Sequence, residues 1–324
     1  MARPTYRFAV DGDGTQRRPL RRRRRVLAGV IGIVVLLTGV LVAAWVTAPA
    51  PVRPKQVVLG RLRADGSRFV PLSAISPVLR RAIVATEDER FYRHHGIDLI
   101  GLTRAVAYDA SHLTLSQGGS TLTEQLAKVL YLGGNDGSPW RKLQDAAIAM
   151  RLESKLSKPQ ILELYLNTVY FGDGAYGVGA ASERYFGITP AHLDLATASL
   201  LAGVIQDPSG YDPLLDPSLA RQRQVQVLTS MVRDGYATED QGLAALHDPI
   251  PLGDGSSLAP IEAGIVAPDT SFAKLPLLAG FTLLVAVLAS LHVARHSRRT
   301  VAFGLAAVVG VAAMSLIARS VKVA

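Results

Sequence analysis

Residues Val26 to Ala48 carry no charged side chain, and five consecutive arginines, Arg21 to Arg25, stand directly before them. A charge-free run of this length forms a helix long enough to cross the hydrocarbon core of a bilayer, about 30 Å thick. The basic block keeps its side of the run in the cytoplasm. Ala48-Pro49-Ala50 faintly resembles a signal-peptidase site, but the run is too long for a typical signal peptide, which favours an uncleaved anchor. Two further apolar runs, 275–293 and 301–318, sit near the lower length limit for a span, with the basic loop Ala294 to Thr300 between them. The same charge rule puts that loop in the cytoplasm and the large middle segment outside. The expected order is a basic tail (1–25), a transmembrane helix (26–48), a membrane-proximal linker (49–76), a main domain (77–248), a second linker (249–274) and transmembrane helices at 275–293 and 301–318.

The formal charge of +9 on 324 residues suggests nucleic acid only until it is divided. Nine basic and two acidic side chains give +7 over residues 1–48. Twenty basic and 24 acidic give −4 over 49–273, and six basic with none acidic give +6 over 274–324. The basicity belongs to the membrane flanks, and a slightly acidic outer domain excludes DNA or RNA as a natural partner. The chain has no cysteine, which rules out disulfides, thiolate chemistry and cysteine zinc sites. The outer domain must therefore be held by its core alone, which its length permits.

Within that domain, residues 49–56 read as a short stiff spacer, and Val57 to Val70 as a brief hairpin around Asp65-Gly66. From Pro77 onward the pattern is helical, with stretches expected near 98–111, 120–132, 140–156, 159–168, 191–204 and 217–234. A glycine-rich bend is expected at Gly172–Gly179, and the Pro-, Gly-, Asp- and Ser-rich segment after 249 reads as a linker. The fold class is mainly α.

Four clusters carry the chemistry. They are Glu87-Asp88-x-x-Phe91-x-x-His94-x-Gly96; Gly118-Gly119-Ser120-Thr121-Leu122-Thr123-Glu124-Gln125-Leu126-x-Lys128; Arg141-Lys142-x-x-Asp145; and Ile161 to Asn167, followed by Tyr170-Phe171-Gly172. Singly, each has an ordinary explanation. Glu87-Asp88-Glu89 can be a solvated turn, while Arg141 with Asp145 and Glu124 with Lys128 have the spacing of surface ion pairs. Ser120-Thr121 can cap a helix, and His94 can be a structural histidine.

Taken together and in this order, from about Pro77 to Tyr236, they resemble glycosyltransferase family 51, the transglycosylase domain of class A penicillin-binding proteins and their monofunctional relatives. The resemblance implies a lysozyme-like helical fold beside the bacterial plasma membrane. It also implies lipid II and the growing glycan strand as substrates, joined β-1,4 with release of undecaprenyl diphosphate. Glu87 matches the family's general base and Asp145 its second carboxylate. Ser120, Thr121, Gln125, Lys128, Arg141 and Lys142 match substrate-contacting positions, as do Asp88 and Phe91, with Asp88 expected to orient the motif rather than react. The chemistry agrees: a sugar hydroxyl attacking an anomeric carbon needs a base, and a departing diphosphate needs fixed cations, a task to which arginine's fork is suited. A wall hydrolase, which expels a neutral sugar, needs a protonated acid instead. The family implies a response to divalent cations, but no dedicated metal-ligand set is visible.

Three positions depart from the family pattern. Asp145 stands where Glu is usual, Glu124 where Gln is usual, and Val129 where Asn is usual. A carboxylate one methylene short can cost about a hundredfold in rate, and an extra anion beside a diphosphate is repulsive if buried there. A weak or inactive relative, binding precursor as a scaffold for other wall-building proteins, is therefore the alternative. The only Ser-x-x-Lys, Ser271 to Lys274, abuts an apolar run with no Lys-Thr-Gly after it. Cross-linking is thus expected from a separate transpeptidase.

Overall fold

The computed structural model describes residues 17–112, 119–133, 138–261 and 264–265. The expected spans at 275–293 and 301–318, and the first 16 residues of the basic tail, lie outside the described residues. The chain divides into two compact units, of which one comprises Ala44–Pro276; the described part of the other is residues 17–43.

That second part belongs to α1, Arg17–Thr47, a helix of 31 residues. Every large apolar side chain described along it, from Ile31 to Val46, is exposed. Among the described residues no helix is long and apolar enough to cross a membrane. The continuous described stretch of α1 side chains, 31–47, is roughly 25 Å of helix, against about 30 Å of hydrocarbon.

In the main unit, α2 (Pro54–Ala64) replaces the expected hairpin. Pro54 opens the helix, and Val58 and Leu62, one turn apart, are buried. This i, i+4 burial is what a strand reading of Val57-Val58 misses. Asp65-Gly66 serves as the turn that ends the helix, with Gly66 at φ +68°. The stiff spacer is correspondingly shorter than expected.

The core is built on α9 (Leu195–Val204), whose residues from Thr197 to Val204 are all buried. A helix apolar on all sides must be surrounded, and α3 (Pro77–Glu87) and α10 (Pro217–Arg233) pack on it and on each other. Ser76 caps α3, accepting from Val78 N, with Pro77 at the first helical position. Beside this trio, α5 (Leu122–Ala127) packs on α6 (Pro139–Glu153) and α7 (Lys158–Leu166). α4 (Leu99–His112) follows the Glu87–Gly96 segment.

α8 (Gly177–Phe186) and α11 (Glu239–His247) were not expected. Glycines at 177 and 179 mask α8, yet Val178, Ala181, Ser182, Tyr185 and Phe186 bury one helical face. Ile250–Pro251 pairs antiparallel with Ser257–Leu258, and Ile250, Leu252, Leu258 and Ile265 are buried. The expected linker therefore begins as a packed part of the domain.

Asn167, at the end of α7, clamps the segment before α3. Its Oδ1 accepts from Val70 N at 2.7 Å, and its Nδ2 donates to Val70 O at 2.8 Å. Glu163 accepts from Leu72 N at 2.9 Å. The Ile161–Asn167 cluster is thus largely structural, with Tyr165 the exception described below.

Gly96 is fixed for a different reason. Its φ is +88°, and a Cβ there would lie 2.8 Å from Met150 N and 2.9 Å from Ala149 C. Both the left-handed backbone and the contact with α6 exclude a side chain. Gly96→Ala is expected to lower folding stability by about 2–4 kcal/mol, read as a reduced urea midpoint with an unchanged slope.

Candidate active site

α3 ends at Glu87, and the chain leaves it through Asp88. The buried Asp88 carboxylate accepts from Leu122 N at 3.0 Å and lies 2.9 and 3.0 Å from His94 Nε2. It therefore ties the end of α3 to the start of α5. That start is a capping box: Thr121 Oγ1 accepts from Glu124 N at 3.1 Å, and the Glu124 carboxylate accepts from Thr121 N at 2.8 Å. Thr121 also donates to Gly96 O at 2.6 Å.

One turn into α5, Gln125 points back to Glu87. Its Nε2 donates to Glu87 Oε2 at 2.8 Å, while Tyr165 OH donates to Gln125 Oε1 at 2.9 Å. Tyr165 thereby fixes which way the amide faces. Burial pushes the Glu87 pKa up, and Asp88 adds to this, while the Gln125 hydrogen bond and the Arg223 charge oppose it. A desolvated carboxylate with a raised pKa is a stronger proton acceptor than a solvated one.

Glu87 opens onto a cleft of about 440 Å³, also lined by Ser120, Gln125, Lys128, Tyr170 and Arg223. Lys128 begins a π-helical turn, Lys128–Leu132, an irregularity of the kind that often re-aims a functional side chain. Among the described residues its ammonium has no ion-pair or hydrogen-bond partner. Lys142 on α6 donates to Ser120 Oγ and lies 3.5 Å from Glu124. Arg141 on the same helix donates to Leu132 O. A carboxylate that can take a proton thus shares a cleft with an ammonium group and a hydroxyl.

Of the sequence candidates, the structure brings Glu87, Ser120, Gln125 and Lys128 to one cleft. Asp88 and Thr121 are buried behind it as braces. Phe91 does not reach it: its ring is fully buried, with the Lys158 ammonium 4.4 Å from its centroid. Arg141, Lys142 and Asp145 are on the adjoining α6 and are not among the cleft-lining residues. Glu124 pairs with Lys142 rather than with Lys128, and its carboxylate is occupied by the capping box. Among the described residues no group of three or more His, Asp or Glu side chains could hold a metal ion.

Asp145 is buried and its Oδ1 has no hydrogen-bond partner. Burial raises its pKa to about 6, Glu124 also raising it and Lys142, Lys128 and Arg141 lowering it. Between about pH 4 and 6 the folded state keeps a proton that the unfolded chain has released. Stability from this group is therefore lost as pH rises through that window. The urea midpoint of Asp145→Asn is expected to fall less than the native midpoint between pH 4 and pH 6.5; parallel curves would contradict the assignment.

Arg223 on α10 is a site residue that the motifs do not contain. Its guanidinium lies over Tyr211, 5.9 Å from the ring centroid, and donates to Gln226 Oε1 at 2.6 Å. Desolvation lowers its pKa, and the Glu87 charge opposes that. Gly203 makes room for it, since a Cβ there would lie 2.9 Å from Arg223 Cγ. The only sequence signal was indirect: α10 buries Ala220, Gln224, Val227 and Met231, and Arg223 borders that face.

A family profile described as Transglycosylase matches residues 55–232. A Cupriavidus necator protein whose name includes the word transglycosylase is 44% identical over 184 residues, covering 57% of this chain and 79% of that protein. Penicillin-binding protein 2D of Bacillus subtilis is 36% identical over 234 residues, 69% of this chain and 33% of that protein. Penicillin-binding protein 1A of Escherichia coli is 42% identical over 172 residues, 53% of this chain and 20% of that one. The chain therefore spans a third or less of the length of these two penicillin-binding proteins. With the profile covering more than half of its residues, and the Glu87 cleft within the match, the chain belongs to the transglycosylase family, glycosyltransferase family 51.

Proposed function

We propose that this chain polymerises lipid II into β-1,4-linked glycan strands at the outer face of the bacterial plasma membrane. The observation that carries the reading is the cleft in which the desolvated Glu87, held by Gln125, stands with Ser120 and with Lys128, whose ammonium has no ion-pair or hydrogen-bond partner among the described residues. Glu87 takes the proton of the attacking sugar hydroxyl as its oxygen bonds to the anomeric carbon. The bond from that carbon to the diphosphate oxygen breaks, and the electron pair leaves with undecaprenyl diphosphate. Lys128 stabilises the charge that develops on the leaving group. Arg141 and Lys142, about one turn from Asp145 on α6, extend the positive field toward the same substrate. Asp145, ionised above about pH 6, holds these cations in place.

Residues 26–48 serve as the anchor: the exposed large apolar side chains on α1, from Ile31 to Val46, suit lipid, with 275–293 and 301–318 as further spans. The arginine-rich tail is cytoplasmic and the catalytic domain extracytoplasmic. Glu124 supports an active enzyme over a silent precursor-binding scaffold, because its charge is used in the capping box and against Lys142 rather than aimed at a diphosphate. The test is incubation of the full-length protein, in detergent, with lipid II. Glycan polymer on a gel is expected, whereas bound but unpolymerised lipid II would favour the scaffold.

A further inference from the structure

Part of the cleft lining has a different chemistry from Lys128 and Arg223. It presents Val169, Tyr170, Ile205 and the backbone around Pro208, with Gln206 as an amide. Tyr170 is backed by Tyr176, their ring centroids 4.6 Å apart and their planes tilted by 35°. Tyr176 is 43% exposed, a large aromatic surface left in water beside a cleft.

The loop that carries the pair is built to hold still. Tyr170 and Tyr176 form an antiparallel bridge, and Phe171 N, Ala175 N and Gly177 N donate to Ala175 O, Gly172 O and Val169 O at 2.8–2.9 Å. Gly172, Asp173, Gly174 and Gly177 all have positive φ. A Cβ on Gly172 would lie 2.4 Å from Pro208 O and 2.7 Å from Tyr185 OH, so the loop is pressed against the cleft wall. Tyr185 OH donates to Phe171 O at 2.8 Å, and Arg184 pairs with Asp173. Six residues with four left-handed positions are costly to order, and such preorganisation favours binding by reducing what must be ordered later.

We propose that the Tyr170–Tyr176 pair is a stacking platform for a pyranose ring of the glycan, resting on the glycosyltransferase reading above. A pyranose offers a patch of C–H groups on its face and hydroxyls at its rim. The electron-rich face of a tyrosine accepts the former, and the Gln206 amide and the Pro208 carbonyl suit the latter. A diphosphate would be repelled by that same aromatic face and belongs at Lys128. The cleft lining thus offers both chemistries beside Glu87, cations for the diphosphate and an aromatic face for the sugar.

The test compares native full-length protein with Tyr176→Ala and Tyr176→Phe, titrated with two probes: the neutral β-1,4-linked tetramer of N-acetylglucosamine, and inorganic pyrophosphate. Tyr176→Ala is expected to weaken tetramer binding about three- to tenfold, while Tyr176→Phe retains it and pyrophosphate binding is unchanged in both. With lipid II, Tyr176→Ala raises KM and leaves kcat near the native value. Equal tetramer binding by native protein and Tyr176→Ala, no tetramer binding by the native protein, or parallel loss of pyrophosphate overturns the platform. If lipid II is still polymerised in those cases, only the platform fails; if native protein makes no polymer, the glycosyltransferase reading itself fails.

Discussion

Glu87→Gln is expected to lower lipid II polymerisation by about 10²–10⁴-fold, the range of a positioned general base. The substitution keeps the shape and the hydrogen-bonding reach to Gln125 but removes the proton acceptor. Folding should not suffer. A carboxylate whose pKa is raised by burial is ionised at a cost, so its neutral isostere leaves the urea midpoint unchanged or raises it. Loss of activity with retained or increased stability is the expected combination, and loss of both would assign Glu87 a structural role. The same raised pKa makes native activity fall on the acid side, as the base becomes protonated. This limb is absent from the residual rate of Glu87→Gln.

Lys128→Ala should cost about 10²–10³-fold in kcat, the scale of one preorganised group removed from developing charge. The lysine makes no ion pair or hydrogen bond among the described residues, so its removal leaves no buried group unsatisfied and stability should change little. Lys128→Arg is expected to restore part of the rate, because charge is kept while its position shifts. Pyrophosphate affinity, measured on both variants, separates this account from one in which Lys128 only holds the π-helical turn. An unchanged affinity in Lys128→Ala would contradict the assignment.

Both residues were legible in the sequence. Glu87, Ser120, Gln125 and Lys128 lie in clusters whose order and spacing singled them out, and the structure brings them to one cleft. Most of the helices were legible too, since α6, α7, α9 and α10 follow from apolar periodicity and proline starts. Tertiary packing overrode the local signals elsewhere. Val57-Val58 looked like strand, yet Val58 and Leu62 bury a helical face, while the glycines at the start of α8 disguised a helix whose other face is core. Phe91 has the spacing of a site residue but is a core ring under Lys158. Arg223 reaches the cleft only because α10 packs beside α3 and α9, a long-range fact with no local pattern. Glu124 looked like a liability by charge alone, and the capping box that absorbs it depends on where α5 starts.

The most direct test of the central claim is the product count from lipid II labelled separately in sugar and lipid, turned over by the full-length protein in detergent. One undecaprenyl diphosphate released for each β-1,4 linkage formed, in a strand that a muramidase then degrades, is the predicted result. Release of free disaccharide without strand, or lipid II held without any diphosphate released, would contradict it.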